Sequence, residues 1–253
     1  NKLIWAVDLT MTRGVKVDLN ARLKYTEDLM AVIADLETWI KTAVGFDLNI
    51  ASPSQMANFF YYQLGLTPIK DRKTKGVTTN DEALGKIAQK QPLLQGLIER
   101  IQALRSCRVF LSTFLEASLD SDLRLRCSYN IAGTETYRFA SRKNAFGTGL
   151  NLQNVPAGGE AAAGVTLPNV KTMMIPDEGM EFFDIDLNSA DLRIVVWESG
   201  EDEMKRMLAE GYDPYTEVAK EYFRDPSITK KDPRRQQFKA FCHGTHYLGT
   251  AAG

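Results

Sequence analysis

The stretch RRQQFKAFCHGTHYLGTAAG, residues 234–253, places Arg235, Lys239, His243 and Tyr247 at intervals of four. On an α-helix each step of four turns the side chain only about 40° further, so the four share one slowly drifting stripe of two cations and then two rings. Asp232 and Pro233 stand just ahead as an N-cap and first-turn proline, which sets the cations near the end where backbone N–H groups are free. Dipole complementarity ordinarily puts Asp or Glu there, so a helix start that adds Arg and Lys to its own positive pole suits a polyanion. From Arg235 to Tyr247 the axis rises roughly 18 Å, enough to run from a triphosphate to a sugar and base. The spacing predicts a nucleotide held lengthwise, against the plainer reading of an exposed basic helix start over a buried aromatic face.

Working outward, MEFFDIDLNSADLRIVVWESGEDEM, residues 180–204, reads as a strand running into a helix. Over residues 180–187 the alternation points Phe183, Ile185 and Leu187 one way and Phe182, Asp184 and Asp186 the other. Two carboxylates on one face of an apolar strand are costly to bury unless a cation joins them, and Mg²⁺ is the cation that takes such oxygens together with substrate phosphates. Asn188 or Ser189 is placed to cap the next helix, which carries Asp191 and Arg193 before Ser199 and Gly200 break it. Taken alone, Asp184 and Asp186 are equally well a solvated strand end.

Three segments together are more specific. DLNSADLR (186–193) resembles motif A of the family A, or DNA polymerase I type, DNA polymerases, and RRQQFKAFCHGTHYLG (234–249) resembles their motif B. GTETYRFASRKNAFGTGLNLQNVP (133–156) resembles the family's T-G-R-L followed by N-L-Q-N-I-P, and the three occur in the family's order. VKVDLNARL (15–23), LNIASPSQMANFFYYQLGL (48–66) and LIERIQALRSCRVFLSTFLEASL (97–119) resemble, less specifically, the thumb and its flanking palm helix.

The resemblance implies template-directed DNA synthesis, with dNMP transferred from a dNTP to a primer 3′-hydroxyl by two Mg²⁺ ions. It makes Asp186 the catalytic, metal-bridging aspartate, the Leu187 carbonyl a backbone metal ligand, and Asp191 the acidic group that closes the space of a ribose 2′-hydroxyl. Arg235 and Lys239 become the grip on the triphosphate, with Lys239 also catalytic. Tyr215 and His243 fall beside the incoming nucleotide, Tyr247 near the template base and Gly244 next to it. Arg138, Asn151, Gln153 and Asn154 fall on primer and template contacts, and Lys70, Arg72, Lys73 and Lys75 at a thumb tip that grips duplex backbone with salt-dependent strength. The residue types suit this chemistry, because a protein transferring phosphoryl groups mostly positions and neutralises, while Arg138 and the amides offer bonds to minor-groove acceptors common to all base pairs. The implied partners are primer-template DNA and dNTP, with replication partners undefined and the location cytoplasmic, in a nucleoid or infected host cell.

Departures mark a divergent, phage-type member. His243 stands where the family has Phe or Tyr, Asp191 where it has Glu, Tyr215 where a histidine is common, and Tyr137 where a glycine precedes the primer-contacting arginine. The family's motif C, with the second bridging aspartate, is expected beyond Gly253, so the chain reads as a fragment inactive by itself. Two other readings stay in play: a single-subunit RNA polymerase-like nucleotidyltransferase and a non-catalytic DNA-binding remnant. EFFDIDLN also resembles the DxD strand of haloacid-dehalogenase-like phosphatases, with Asp184 as nucleophile, but that leaves NLQNVP and the basic helix unexplained.

Composition adds little. With 253 residues, 44% of them hydrophobic, the chain holds one large domain or two to three subdomains. A net charge of -1 does not advertise a nucleic-acid binder, yet cations cluster at residues 70–75, 138–143 and 230–235. Cys107, Cys127 and Cys242 form no paired spacing, which points to a reducing compartment. Cys242, His243 and His246 make a poor zinc set, since neighbouring helix positions point apart and no fourth ligand motif is present. No apolar run approaches the ~18 residues that span a membrane. Periodicity predicts helices over 20–42, 54–62, 80–89, 92–119, 189–199, 201–210, 214–222 and 233–248, a strand over 124–131 and loop over 147–168. The expected class is α+β, a right-hand polymerase fragment: start of palm at 1–18, helical thumb at 19–123, part of an antiparallel palm sheet with motif A at 124–190, and the first half of helical fingers at 191–253.

Overall fold

Asp18 starts the longest element of the molecule. Its carboxylate accepts the amides of Asn20 (2.9 Å) and Ala21 (3.1 Å), and the helix it caps ends at Gly45, whose left-handed backbone (φ 86°) returns its N–H to Lys41 at 2.8 Å. In the computed structural model, which describes residues 2–134, 138–187 and 189–246, the chain divides into two compact units, residues 1–182 and 183–253.

The first unit opens with helix α1 (Lys2–Arg13) and strand β1 (Val15–Val17), followed by α2 (Leu19–Val44). Helix α3 (Pro53–Ala57) widens into a π-helical turn, Asn58–Gln63, and α4 (Asp81–Lys90) leads into α5 (Gln95–Phe110), which also ends in a π turn, Leu111–Leu115. The wide pitch matters at Phe59, Phe60 and Tyr61, three consecutive rings that are all buried. Leu29, Leu36 and Ile40 of α2 pack in one core with Ile98, Ile101, Leu104 and Cys107 of α5, each fully buried Leu or Ile contributing about 1.5–3 kcal/mol. Arg22 ties the two helices at the far end, donating from Nε to the Leu115 carbonyl (2.5 Å) and from Nη2 to that of Ala117 (2.8 Å), where carbonyls past a helix end need donors.

Among the described residues seven short strands follow the α+β expectation, all paired antiparallel. Strands β2 (Arg124–Leu125) and β7 (Met174–Ile175) flank β1, while β3 (Ser128–Asn130) pairs with β4 (Ala140–Arg142) and β5 (Gly159–Glu160) with β6 (Thr166–Leu167). The expected strand over 124–131 is therefore two pieces in different sheets: β2 joins β1, and β3 leaves it for the hairpin with β4.

The second unit holds α6 (Ala190–Ser199), α7 (Asp202–Ala209), α8 (Pro214–Phe223) and α9 (Pro233–His246) around Leu192, Val196 and Tyr215. These four helices match the predicted ones to within a residue or two over the described positions; Tyr247 and Leu248 lie outside them. The strand expected over 180–187 does not form. Residues 181–187 have no regular structure and expose Phe183 (81%), Ile185 (83%) and Leu187 (73%). Alternation makes a strand only where a neighbour takes the backbone bonds, and among the described residues none does so here. Among the described residues, too, no helix is long and apolar enough to cross a membrane.

Ion pairs brace both units and make them acid-sensitive. Arg126 bonds Asp120 (2.7 Å) and Asp122 (2.6 Å) and holds the Asp122 carboxyl at about 2; Asp225 is likewise held at about 2, by Ser227 first and then Arg234. Depressed carboxylate pKa values stabilise the fold above the ordinary carboxylate range, and that support is lost as pH falls from about 4 towards 2. In carboxyl NMR titrations the midpoint of Asp122 is expected near 2 and to climb towards the ordinary value in Arg126→Met; a midpoint already near 3.8 in the unmodified protein contradicts the assignment.

Candidate functional site

Helix α9 starts as its sequence predicts. The Asp232 carboxylate accepts the amide of Arg234 (2.8 Å), capping the helix ahead of Pro233. The two arginines that follow diverge. Arg234 is drawn to Asp232 (2.8 Å) and Asp225 (2.9 Å) and stands over the Phe223 ring at 5.7 Å. Arg235 turns to α8, where its Nε (3.0 Å) and Nη2 (2.8 Å) both donate to one oxygen of Asp213. The pair is largely dry, with side chains 12% and 8% exposed. The same Asp213 oxygen accepts the Thr216 hydroxyl at 2.6 Å, so the carboxylate is fixed at the start of α8.

One helical turn after Arg235 comes Lys239, and both cations meet the same ring. The Arg235 guanidinium carbon lies 5.4 Å and the Lys239 Nζ 5.9 Å from the ring centre of Tyr215, which is 3% exposed. Such contacts are worth about 0.5–2 kcal/mol, more as water is excluded. Burial pushes the Tyr215 phenol up, the charges of Cys242, Asp213 and Asp191 push it the same way, and Arg235 opposes them. Asp191, Tyr215, Arg235 and Lys239 thus share one electrostatic neighbourhood. His243 and Gly244 lie further along α9, and Tyr247 lies outside the described residues.

Asp184 and Asp186 both face solvent, so the burial cost that argued for a bound cation does not arise. Their oxygens remain the hard donors that Mg²⁺ takes. Among the described residues the Leu187 carbonyl accepts a long bond from the Ala190 amide, at 3.4 Å, and a carbonyl oxygen has a second lone pair. Among the described residues no three His, Cys, Asp or Glu side chains are grouped to hold a metal. A magnesium ion that brings its own phosphate oxygens fits Asp186 with the Leu187 carbonyl, whereas a cage built wholly of protein side chains does not. A haloacid-dehalogenase-like phosphatase needs its aspartate pair at the end of a strand, and residues 181–187 form none.

In the first unit, Asn151 accepts the Gln153 amide (3.1 Å) and the Ser141 hydroxyl, and Gln153 Nε2 donates to the Phe139 carbonyl (3.1 Å). These amides bind the 3₁₀ turn Leu152–Asn154 to strand β4; Arg138, Gln153 and Asn154 are exposed beside it. The basic turn at 70–75 is organised by Asp71, whose carboxylate accepts the amides of Lys73 (2.9 Å) and Thr74 (2.8 Å), bonds that hold it below the usual carboxylate range. Closure of that turn leaves Lys70, Arg72, Lys73 and Lys75 exposed, a geometry suited to a phosphate backbone.

Sequence reading did not select Asp213. Its only local signal is Asp before Pro214, which reads as an ordinary helix start, and its partner lies 22 residues away.

Comparison with known proteins supplies the family. The family model for DNA polymerase family A matches residues 20–253. DNA polymerase I of Caldicellulosiruptor bescii is 26% identical over 234 residues, covering 92% of this chain and 26% of that protein, and that of Bacillus subtilis is 25% identical over 235 residues, covering 92% and 25%. The thermostable DNA polymerase I of Thermus aquaticus is 26% identical over 242 residues, covering 92% and 27%. The chain spans about a quarter of the length of these relatives. Among solved structures, the POL domain of Pol1 from M. smegmatis, in complex with DNA primer-template and dNTP, is similar in fold (TM-score 0.71, 24% identity, 93% of this chain and 40% of that one). With a family match over nearly its whole length, the chain belongs to DNA polymerase family A.

Proposed function

We propose that this chain provides the nucleotide-gripping and primer-template-holding parts of a DNA polymerase that adds dNMP from dNTP to a primer 3′-hydroxyl. The observation that carries the reading is the convergence of Arg235 and Lys239, one helical turn apart, on the single ring of Tyr215, in the unit that also holds Asp186 and Asp191. Two cations registered on one platform offer a fork and a point charge to successive phosphates of one triphosphate. Asp186 and the Leu187 carbonyl would hold the Mg²⁺ that arrives with the triphosphate; when bound, that ion offsets the charge developing on the reacting phosphate. Lys239 neutralises the departing pyrophosphate, Asp191 crowds the sugar edge, and His243 and Tyr247 follow along the helix towards the base. Residues 19–123 act as the thumb, with the basic turn at 70–75 on the duplex backbone, and Arg138, Asn151, Gln153 and Asn154 act near the primer terminus.

Sugar choice tests the reading. Primer extension with dNTPs against rNTPs, in the polymerase containing this chain, is expected to favour dNTPs. Asp191→Ala is expected to shrink that preference by about tenfold or more, the scale at which one lost contact changes discrimination. Extension that prefers rNTPs in the unmodified protein would assign it instead to RNA synthesis.

A further inference from the structure

We infer that Asp213 is a positioning residue for triphosphate binding, holding Arg235 so that the unused edge of its guanidinium, beside Lys239, meets phosphate. The inference rests on the triphosphate reading of α9.

Three observations combine. First, both bonds from Arg235, through Nε and Nη2, end on one carboxylate oxygen of Asp213, at 3.0 and 2.8 Å. A guanidinium has five N–H donors in a rigid plane, so this side-on grip fixes the plane and leaves three donors, two of them on Nη1, for a second anion. Second, Asp213 is itself immobilised. It is 8% exposed, precedes Pro214 at the start of α8 and accepts the Thr216 hydroxyl at 2.6 Å. Third, the Tyr215 ring, two residues on, stands beneath both Arg235 (5.4 Å) and Lys239 (5.9 Å). The loop entering α8 therefore sets the rotamer of Arg235 from one side and its height from another. An arginine so held loses little side-chain freedom when phosphate arrives, whereas a free one must be ordered at that moment. A cation paired in a dry setting is also spared from wandering to a nearer surface acid.

Binding of dATP with Mg²⁺, and separately of inorganic tripolyphosphate, is to be measured by calorimetry on the full chain. Asp213→Asn is expected to weaken both by about tenfold, as one charge-assisted bond becomes neutral. Asp213→Glu, which keeps the charge, is expected to remain within about threefold of the unmodified protein. In an Arg235→Met background, Asp213→Asn is expected to cost nothing further, since the residue it orients is gone. Unchanged affinity in Asp213→Asn, or the same loss with and without Arg235, overturns the inference while leaving the site reading intact. Failure of the unmodified protein to bind either probe overturns the site reading and this inference with it. A measurement that needs no variant is the Arg235 Nε–H resonance: slow exchange that persists when tripolyphosphate shifts the Nη signals supports the pairing, and rapid exchange contradicts it.

Discussion

Asp186→Asn in the polymerase containing this chain is expected to lower primer extension by on the order of 10³ or more, with dNTP binding changed far less. The physical reason is division of labour. Phosphoryl transfer is carried mostly by placement and charge stabilisation, and removal of even one aimed electrostatic partner in such sites costs about 10²–10³ in rate. Asp186, the carboxylate proposed to hold the metal, is exposed on the segment leading into α6, with the Leu187 carbonyl beside it in sequence. Asn keeps the shape and one oxygen but surrenders the negative charge that a divalent ion needs. The proposed grip on the triphosphate lies elsewhere, on Arg235 and Lys239, so affinity and rate are expected to separate. Single-turnover extension together with a binding isotherm reads both. Normal extension by Asp186→Asn, with loss in Asp184→Asn instead, would move the chemistry to the other carboxylate.

Gly149→Ala is expected to unfold more of the first unit than any other single methyl group. Gly149 has φ +74°, and a Cβ there lands 1.8 Å from the Arg126 carbonyl oxygen and 2.9 Å from its carbon. Backbone cannot step aside as a flexible side chain does, and this backbone is held from both ends. Arg126 is clamped to Asp120 and Asp122, and the Gly149 amide donates to Ser118 at 2.9 Å. Left-handed strain and overpacking together cost roughly 4 kcal/mol, equal to a drop in Tm of about 8–16 °C for a chain of this size. Gly147→Ala is the internal control, because Gly147 has φ +79° but nothing within 4 Å of the added carbon; only the backbone term, about 1 kcal/mol, remains. Equal melting of the two variants would show that the close approach at Arg126 is absent.

What the sequence disclosed, and what it hid, divides along the range of the forces involved. Capping is local, and so Asp232 marks a helix start that the structure keeps, whereas Ser189, offered as a cap for α6, makes no side-chain cap bond there. The basic turn at 70–75 and the placing of Arg235 and Lys239 one turn apart on α9 were readable for the same reason, while the Tyr247 end of that stripe lies outside the described residues. Helix α1 was missed, because Ile4, Trp5 and Leu9 are exposed and no buried face announces its period. Strand formation over 180–187 was read from alternation, but pairing depends on a partner distant in sequence. The split of 124–131 between two sheets is likewise set by partners outside it, the distant β1 for one piece and the following strand β4 for the other. Asp213 was hidden because a single residue before proline has two employments, helix start and arginine partner, and only the folded chain brings the second into being.

The pairing of arginines with carboxylates at the start of α9 also governs what this surface ignores. With Arg235 matched by Asp213 and Arg234 by Asp225 and Asp232, the two arginines carry no surplus charge, and the excess of this stretch rests on Lys230, Lys231 and Lys239. Bulk polyanions, which are drawn by excess charge rather than by shape, gain little from the paired arginines. On the proposed triphosphate reading, a ligand must instead match its phosphates to the spacing of the donors that remain, so the pairing acts as a filter.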